Sequence, residues 1–305
     1  MSEGAEGSST PIPFEFAPAS LATDQFSFAA AHSLAQASYL VYDDDLERVA
    51  KEVERCNARL ASFNSLANPF SFAATQGMVL ETEERLILVI RGSKGKEDWK
   101  LNLQAKQRRV WFDVPGKVHK GFWRALKHIW EPVVVPLMAA AGGSRKKVII
   151  CGHSLGGAIA TLVAARIAKK FGLEALASVY TYGQPRVGNA KFASYVNEQF
   201  KGRFHRFVND RDVVAMIPPA PLYRHVGELY HFDSDGSLIE ITKSETGRKI
   251  GPTLTPEQFK EFSDSTQKHG FYTSIQEKKG VKPEVASVED HSIDGAYIPK
   301  LKLHL

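Results

Sequence analysis

From residue 148 onward, short apolar runs alternate along the chain with longer helical patterns. The runs Val148–Ile150, Leu176–Tyr182 and Phe204–Val208 are rich in β-branched and aromatic residues, which indicates strands. Between them, Ala158–Lys170 and Ala190–Phe200 have the composition and spacing of helices. Strands that alternate with helices imply right-handed crossovers. The pattern therefore predicts an α/β fold, with a mostly parallel central sheet and helices on both faces.

The pattern on either side of this region predicts further elements. Leu46, Val49, Val53, Cys56 and Leu60 recur at steps of three and four, which indicates one amphipathic surface helix. The other predicted elements are a helix at Ala29–Tyr42, paired strands at Gly77–Leu80 and Leu86–Ile90, a helix from Phe122 to Trp130 that ends near Pro132, and a hairpin formed by Val226–Phe232 and Leu238–Ile241.

The same pattern divides the chain into an arm and one domain. Residues 1–24 are polar and rich in Pro and Ser, which predicts a flexible N-terminal arm. Residues 25–305 are predicted to form a single α/β domain, in which the charged and turn-rich stretch 243–289 is expected to be a polar surface insertion. A chain of 305 residues can bury a core that needs no disulfides, and its two cysteines do not suggest a disulfide framework.

Composition excludes some functions and leaves others open. The net charge of +5 is mild, and no Arg/Lys block with interleaved aromatic residues suggests a nucleic-acid partner. No cofactor and no metal are expected, because the chain lacks H-E-x-x-H and any zinc-like Cys/His spacing. No apolar run is long enough for a transmembrane segment. Residues 1–7 are acidic and do not resemble a signal peptide, so a cytoplasmic location is the default, with secretion by another route left open.

The segment Cys151–Gly157 contains the pattern G-x-S-x-G, centred on Ser154, between a predicted strand and a predicted helix. Gly152 and Gly156 carry no Cβ, so the chain can turn sharply with Ser154 at the tip. The N–H groups that begin the following helix point at any anion formed beside Ser154. This context favours a nucleophilic serine over the alternative, a serine that caps the helix in an ordinary turn.

Several ordered motifs carry a resemblance to a known family. They are Ile90–Ser93 followed by Asp98-Trp99, Val118–Phe122, the Ser154 turn, Tyr182–Asn189, Asp212–Val214 with Pro218, and Asp290-His291 with Tyr297. With these motifs the chain resembles the class 3 lipases, the fungal-type triacylglycerol lipase branch of the α/β-hydrolases. The resemblance runs from about Phe28 to Leu301 and is thin between Ile241 and Glu289. It implies an α/β-hydrolase fold and a lipase-like domain.

The resemblance implies a catalytic triad in the chain order Ser, Asp, His. Asp212 fits the family pattern of an Asp followed by two apolar residues and a later Pro, whereas Asp210 is the alternative, with turn stabilisation as its expected role. Among ten histidines, His291 matches the terminal motif and is the expected base. His153 lies next to Ser154 on a tight turn, where successive side chains point apart, so we expect it to have a packing role.

Further site residues follow from the same resemblance. The oxyanion hole is expected at the N–H of Leu155 and at Ser93. The segment Lys94–Leu103 corresponds to the family's lid, in which Trp99, Leu101 and Leu103 would face the acyl site. The first half of this segment is polar, which predicts weak interfacial activation.

The expected function is that of a serine carboxylic-ester hydrolase, a triacylglycerol lipase or carboxylesterase with a lipid or small ester substrate and transient contact with a lipid interface. Phospholipase A1 and feruloyl esterase are alternatives on the same scaffold. A non-catalytic binding protein is the alternative from another class, and such proteins usually lack a triad member.

Overall fold

The computed structural model describes residues 13–65, 76–92, 107–109, 114–242 and 291–305. Its ten strands in the described residues are β1 Arg59–Ser65, β2 Gln76–Glu81, β3 Arg85–Ile90, β4 Gln107–Arg109, β5 Lys117–His119, β6 Lys147–His153, β7 Leu176–Tyr182, β8 Phe204–Asn209, β9 Glu228–Phe232 and β10 Leu238–Thr242. Eight of them form one sheet in the order β1-β2-β3-β6-β7-β8-β9-β10, and β4 pairs with β5.

The centre of the sheet is parallel and its margins are antiparallel. Strands β3, β6, β7, β8 and β9 run parallel to their neighbours within this group. The pairs β1-β2, β2-β3 and β9-β10 are antiparallel, and the last two of these confirm the predicted strand pair and hairpin. Because the parallel strands point the same way, the residues that follow β6, β7 and β8 meet at one edge of the sheet, where α/β proteins build their sites.

Helices cover both faces of the sheet, as the alternating pattern predicted. They are α1 Phe28–Leu40, α2 Leu46–Arg55, α3 Lys120–Ile129, α4 Val135–Ser144, α5 Leu155–Phe171, α6 Ala190–Gln199 and α7 Ile298–Lys302. Strand β3 alternates between two hydrophobic clusters. Leu88 packs with the cluster that contains α3, α5 and α6, whereas Val89 packs with the cluster that contains α1, α2 and α7. A strand buried on both faces has a continuous apolar sequence, and β3 has one.

The amphipathic pattern from Leu46 to Leu60 spans two elements rather than one helix. Helix α2 ends at Arg55, and Leu60 lies in β1 opposite Leu80. The chain leaves the helix at Asn57, which has a φ of 57°. Asparagine adopts this left-handed conformation at modest cost and often ends helices, so the apolar spacing continued by coincidence beyond the helix itself.

The predicted helix after Gly121 is present, and its α-helical part, α3, ends at Ile129, but the helical path does not stop near Pro132 as expected. Helix α3 continues into a π-helical turn, Trp130–Val134, which leads directly into α4. A proline lacks the backbone donor and crowds the carbonyl four residues earlier in an α-helix. The wider π turn, bonded at five residues, accommodates that change without ending the helical path.

The described part of the N-terminal arm, residues 13–24, is packed rather than loose. Phe14, Phe16 and Leu21 are buried in the cluster that contains α1. The Arg85 side chain donates to the carbonyl oxygen of Leu21 and to the Asp24 carboxylate. The division of the chain into an arm and one domain stays a prediction, and the insertion predicted at 243–289 lies outside the described residues.

Candidate active site

Ser154 lies between β6 and α5 with a φ of 60° and a ψ of −130°. Few residues with a side chain adopt such angles, and strain of this kind concentrates at functional sites. The turn is close to its neighbours on both sides. A Cβ on Gly152 would lie 2.6 Å from the carbonyl carbon of Gly156, and a Cβ on Gly156 would collide with the carbonyl oxygen of Ile90. Only glycine fits either position while the strained serine is held between them.

The Ser154 hydroxyl does not cap the helix that follows it. Although Ser154 is the N-cap residue of α5, its side chain makes no capping hydrogen bond. Its main chain is held instead, because its N–H donates to Tyr182 O at 2.9 Å and its carbonyl accepts from Gly157 N at 3.0 Å. The alternative that Ser154 serves as an ordinary helix cap therefore has no support from the geometry.

Asp212 is completely buried and lies beyond the end of β8. Its Oδ2 is 2.9 Å from His291 Nδ1 and accepts a hydrogen bond from the Tyr297 hydroxyl at 2.6 Å. Its Oδ1 accepts from the N–H of Val214 at 2.8 Å. The structure thus brings together the two residues that the sequence paired, and it fixes both oxygens of the carboxylate.

The alternative acid, Asp210, points elsewhere. Its carboxylate lies 3.6 Å from the Arg211 guanidinium, and its carbonyl oxygen accepts from His231 Nε2 at 2.9 Å. Asp210 also has a φ of 35°, as expected for a residue in a tight turn. This geometry favours Asp212 as the partner of His291.

His291 is held by contacts from two parts of the sheet edge. Its carbonyl oxygen lies 2.7 Å from His153 Nε2, and the two imidazole rings stack with their centroids 4.5 Å apart. Gly183, with a φ of 58°, faces the acid and base, since a Cβ there would lie 2.6 Å from Asp212 Oδ2 and 2.7 Å from His291 Nδ1. Because Tyr182, just before Gly183, also accepts the Ser154 N–H, all three predicted triad residues surround one corner.

The other histidines that follow Asp212 serve the main chain where the structure describes them. Nε2 of His225 is 2.7 Å from Ala215 O, that of His231 bonds the turn before Asp212, and that of His304 is 3.0 Å from Gly236 O. A carbonyl oxygen only accepts, so each ring donates at this nitrogen. His269 lies outside the described residues.

The loop after Asp212 is anchored through its carbonyl oxygens. Arg186 donates from its main-chain N–H to Ile217 O at 2.7 Å and from Nη1 to the carbonyl oxygens of Met216 and Pro218. Burial, and to a lesser extent the nearby Arg224, together lower the pKa of Arg186 to about 10, so the guanidinium stays charged at neutral pH. A buried cation that is bound to carbonyl oxygens holds the acid loop without competing for the Asp212 carboxylate.

Of the expected oxyanion donors, only Leu155 lies in the described part of the chain. Leu155 is the first residue of α5, so its N–H is among those that no intrahelical carbonyl accepts. Ser93 lies outside the described residues, but Gly92 before it is close to the turn. A Cβ on Gly92 would lie 3.3 Å from Ser154 Cβ. The lid residues Trp99, Leu101 and Leu103 also lie outside the described residues.

Within the described ranges, no group of three or more His, Cys, Asp or Glu side chains could hold a metal ion. In the same ranges, no helix combines the length and the apolar character that crossing a bilayer would require.

The parallel sheet, the strained serine between strand and helix, and the Asp212–His291 pair beyond a later strand define an α/β-hydrolase. Residues 87–222 match the model of a family described as Lipase (class 3). The chain is 30% identical over 228 residues to the secreted mono- and diacylglycerol lipase A of Penicillium cyclopium, a match that covers 72% of the chain and 73% of that protein. The chain belongs to the class 3 lipase family.

Two further comparisons agree with this assignment. The chain is 34% identical over 169 residues to the secreted mono- and diacylglycerol lipase 1 of Fusarium solani, covering 53% of the chain and 48% of that protein. The chain therefore spans about half the length of this relative. The native Rhizomucor miehei lipase propeptide complex has a TM-score of 0.60 and 27% identity, covering 69% of the chain and 70% of that structure.

The expectation of a cytoplasmic location is wrong. The Penicillium cyclopium and Fusarium solani relatives are both named as secreted lipases, which points to an extracellular location. The expectation rested on the composition of residues 1–7.

Some contacts at the site had no signal in the sequence, although the residues that make them were named there. Tyr297 was part of a family motif, but its hydrogen bond to Asp212 joins residues 85 positions apart. His153 was expected only to pack, whereas its ring bonds the main chain of His291. Contacts of this kind depend on the sheet order, which a local pattern does not encode.

Proposed function

We propose that the protein is a serine carboxylic-ester hydrolase of the triacylglycerol lipase or carboxylesterase type, in which Ser154, Asp212 and His291 are nucleophile, acid and base. The observation that carries this proposal is the buried Asp212–His291 pair packed at the corner where the strained Ser154 turn ends β6. The family of the chain and the names of its relatives support the same reaction class.

The reaction begins with attack of Ser154 Oγ on the carbonyl carbon of the ester. His291 Nδ1 is bonded to Asp212, so Nε2 is the nitrogen that takes the proton from Oγ. The tetrahedral intermediate collapses and expels the alcohol, which receives that proton from His291. A water molecule, deprotonated by His291, then attacks the acyl-enzyme and releases the carboxylic acid and the serine.

Asp212 fixes the imidazole tautomer and stabilises the imidazolium that forms in each half-reaction. The carboxylate is suited to this task because it is held at both oxygens, by Val214 N–H on one and by the Tyr297 hydroxyl on the other. Because this negative charge is already held in place, the site needs little rearrangement when the positive charge on His291 forms.

The negative charge of the tetrahedral oxygen needs donors that are already in place. The N–H of Leu155 at the start of α5 is the first of these, and the positive end of the helix dipole adds to it. Ser93 is the proposed second donor; the residue before it, Gly92, lies close to the turn, since a Cβ on Gly92 would lie 3.3 Å from Ser154 Cβ. Loss of one such donor lowers kcat by about two to three orders of magnitude.

Acylglycerols are the proposed substrates, since the Penicillium cyclopium and Fusarium solani relatives are named for mono- and diacylglycerols. Trp99, Leu101 and Leu103 are proposed to contact the acyl chain during transient binding to a lipid surface. The polar residues Lys94–Glu97 favour weak interfacial activation. A sharp rise in rate when a short-chain triglyceride exceeds its solubility would contradict this last point.

The test is hydrolysis of p-nitrophenyl esters from acetate to palmitate, with wild type beside Ser154→Ala. We expect activity only in wild type, and its chain-length optimum separates an esterase from a lipase. Diacylglycerol, phosphatidylcholine and methyl ferulate, offered in parallel, separate the three substrate classes that share this scaffold. Equal activity in both proteins, with both folded, would refute the serine mechanism.

A further inference from the structure

The imidazole of His153 links three parts of the site by hydrogen bonds. Nε2 lies 2.7 Å from His291 O, and because a carbonyl only accepts, Nε2 carries the proton. In the neutral ring Nδ1 is then an acceptor, so the Tyr42 hydroxyl, 3.4 Å away, donates to it. The Tyr42 oxygen accepts from Gly92 N–H at 3.1 Å. Three hydrogen bonds thus connect the end of β3 to the main chain of His291.

We call these three hydrogen bonds the relay, and their surroundings favour one protonation state of His153 and one of Tyr42. Burial lowers the pKa of His153 well below 6.5, and the neighbouring His291 lowers it further, so His153 is neutral. Burial raises the pKa of Tyr42 to about 12, so its hydroxyl keeps its proton; the other facing groups are Arg91, whose guanidinium lies 5.9 Å from the Tyr42 ring, and Tyr297, whose ring lies 6.2 Å from that of His153. A neutral His153 adds no like charge beside His291 when the base becomes protonated.

We propose that Tyr42 and His153 are positioning residues that hold the His291 main chain in register with the Ser154 turn and with the Gly92 end of β3. The inference rests on the proposed function, because it assigns these residues to the base of that reaction. His153 precedes Ser154 directly, so one residue ties the nucleophile turn to the base through a covalent bond on one side and a hydrogen bond on the other.

A role in packing alone makes a different demand on these side chains. Packing needs only a ring of suitable size at His153, whereas the relay needs a donor toward His291 and an acceptor toward Tyr42 in the same side chain. His153→Phe keeps the ring and removes both hydrogen bonds. His153→Gln loses the ring, but its amide offers a donor and an acceptor. Tyr42→Phe keeps the packing and removes a single hydroxyl.

The experiment measures kcat, KM and the rate of inactivation by a fluorophosphonate for these variants, together with thermal unfolding. For His153→Phe we expect kcat and the inactivation rate to fall about 100-fold with KM unchanged, because the base moves relative to the serine. For Tyr42→Phe we expect a fall of about tenfold, the loss of one modest hydrogen bond. His153→Gln should recover most of the rate lost in His153→Phe.

His304→Phe is the matched control. The His304 ring also donates to a carbonyl oxygen, that of Gly236, and stacks on two aromatic rings, those of Phe28 and Phe232. It lies on the C-terminal tail, so kcat should not change even if unfolding shifts.

Two results would overturn the relay: a folded His153→Phe with unchanged kcat and inactivation rate, or a His153→Gln that is no faster than His153→Phe. If His153→Phe does not fold, Tyr42→Phe carries the test, since an unchanged rate there also excludes the relay. Failure of the proposed function looks different, because Ser154→Ala would then keep the wild-type rate and the fluorophosphonate would not label the wild-type protein.

Discussion

The two halves of the catalytic corner are built in different ways. The nucleophile half is local, because β6, the Ser154 turn and α5 follow one another within Lys147–Phe171. The acid–base half is assembled from distant segments: Asp212 and His291 are 79 positions apart, and Tyr297 is 85 positions from Asp212. One half is thus specified by consecutive residues, and the other by the order of strands in the sheet.

The difference shows in what holds each half. Main-chain geometry and steric exclusion hold the nucleophile half, which we therefore call the steric half. In its serine turn, Gly152 and Gly156 have no room for a Cβ. Buried polar side chains hold the acid–base half, which we call the polar half, through hydrogen bonds from Tyr297, His153 and Arg186. A steric turn is insensitive to pH, whereas a network of polar side chains depends on each protonation state.

The largest expected effect is a loss of kcat when the polar half is changed at Asp212. Asp212→Asn should lower kcat by about four orders of magnitude, as expected when the acid of such a triad is neutralised. The reason is that Oδ2 accepts from both Tyr297 and His291, and an amide cannot serve both while stabilising an imidazolium. Steady-state kinetics on a soluble ester, with circular dichroism to confirm folding, measures this.

Asp210→Asn is the control for that variant, since Asp210 contacts Arg211 rather than His291. Its kcat should match wild type. If Asp210→Asn were inactive and Asp212→Asn active, the assignment of the acid would be reversed, and the polar half would have to be rebuilt around the earlier residue.

The next effect concerns the steric half. Gly156→Ala should lower the free energy of unfolding by about 3 kcal/mol or more, because the new methyl group meets the rigid carbonyl of Ile90. Gly142→Ala in α4 is the matched control, since nothing lies within 4 Å of its added Cβ. That control should gain about 0.5–1 kcal/mol. Urea unfolding of both variants measures the difference, and a Gly156→Ala as stable as wild type would mean that the turn relaxes easily.

The same contrast explains which features a sequence can predict. Strand β6, the serine turn and helix α5 lie within consecutive residues, so the local sequence pattern was sufficient to predict them. Asp212 and His291 were chosen through family motifs, because no local rule distinguishes a catalytic aspartate from Asp210. The Tyr42 and His153 contacts remained hidden, since they join residues 111 and 138 positions apart. The end of α2 was missed because one left-handed Asn57 outweighs a continuing apolar pattern.

The smallest effect tests the pH dependence of the polar half. His205, in the strand that leads to Asp212, is buried, and burial lowers its pKa to about 4. Its ring is surrounded by Phe26, Tyr180 and Tyr230, with the Glu228 carboxylate 3.9 Å away. The unfolded chain takes up a proton at about pH 6.5 and the folded protein does not. The stabilisation from the neutral ring is therefore complete above pH 6.5 and is lost as pH falls toward 4.

Each pH unit within that window should cost about 1.4 kcal/mol from this residue. Urea unfolding of wild type and His205→Gln at pH 7 and pH 5 measures it, because histidines common to both proteins cancel in the comparison. The variant is expected to lose less stability on acidification than wild type. Equal losses would mean that His205 titrates alike in the folded and unfolded chains, and the polar half would then owe its pH dependence to groups at the catalytic corner itself.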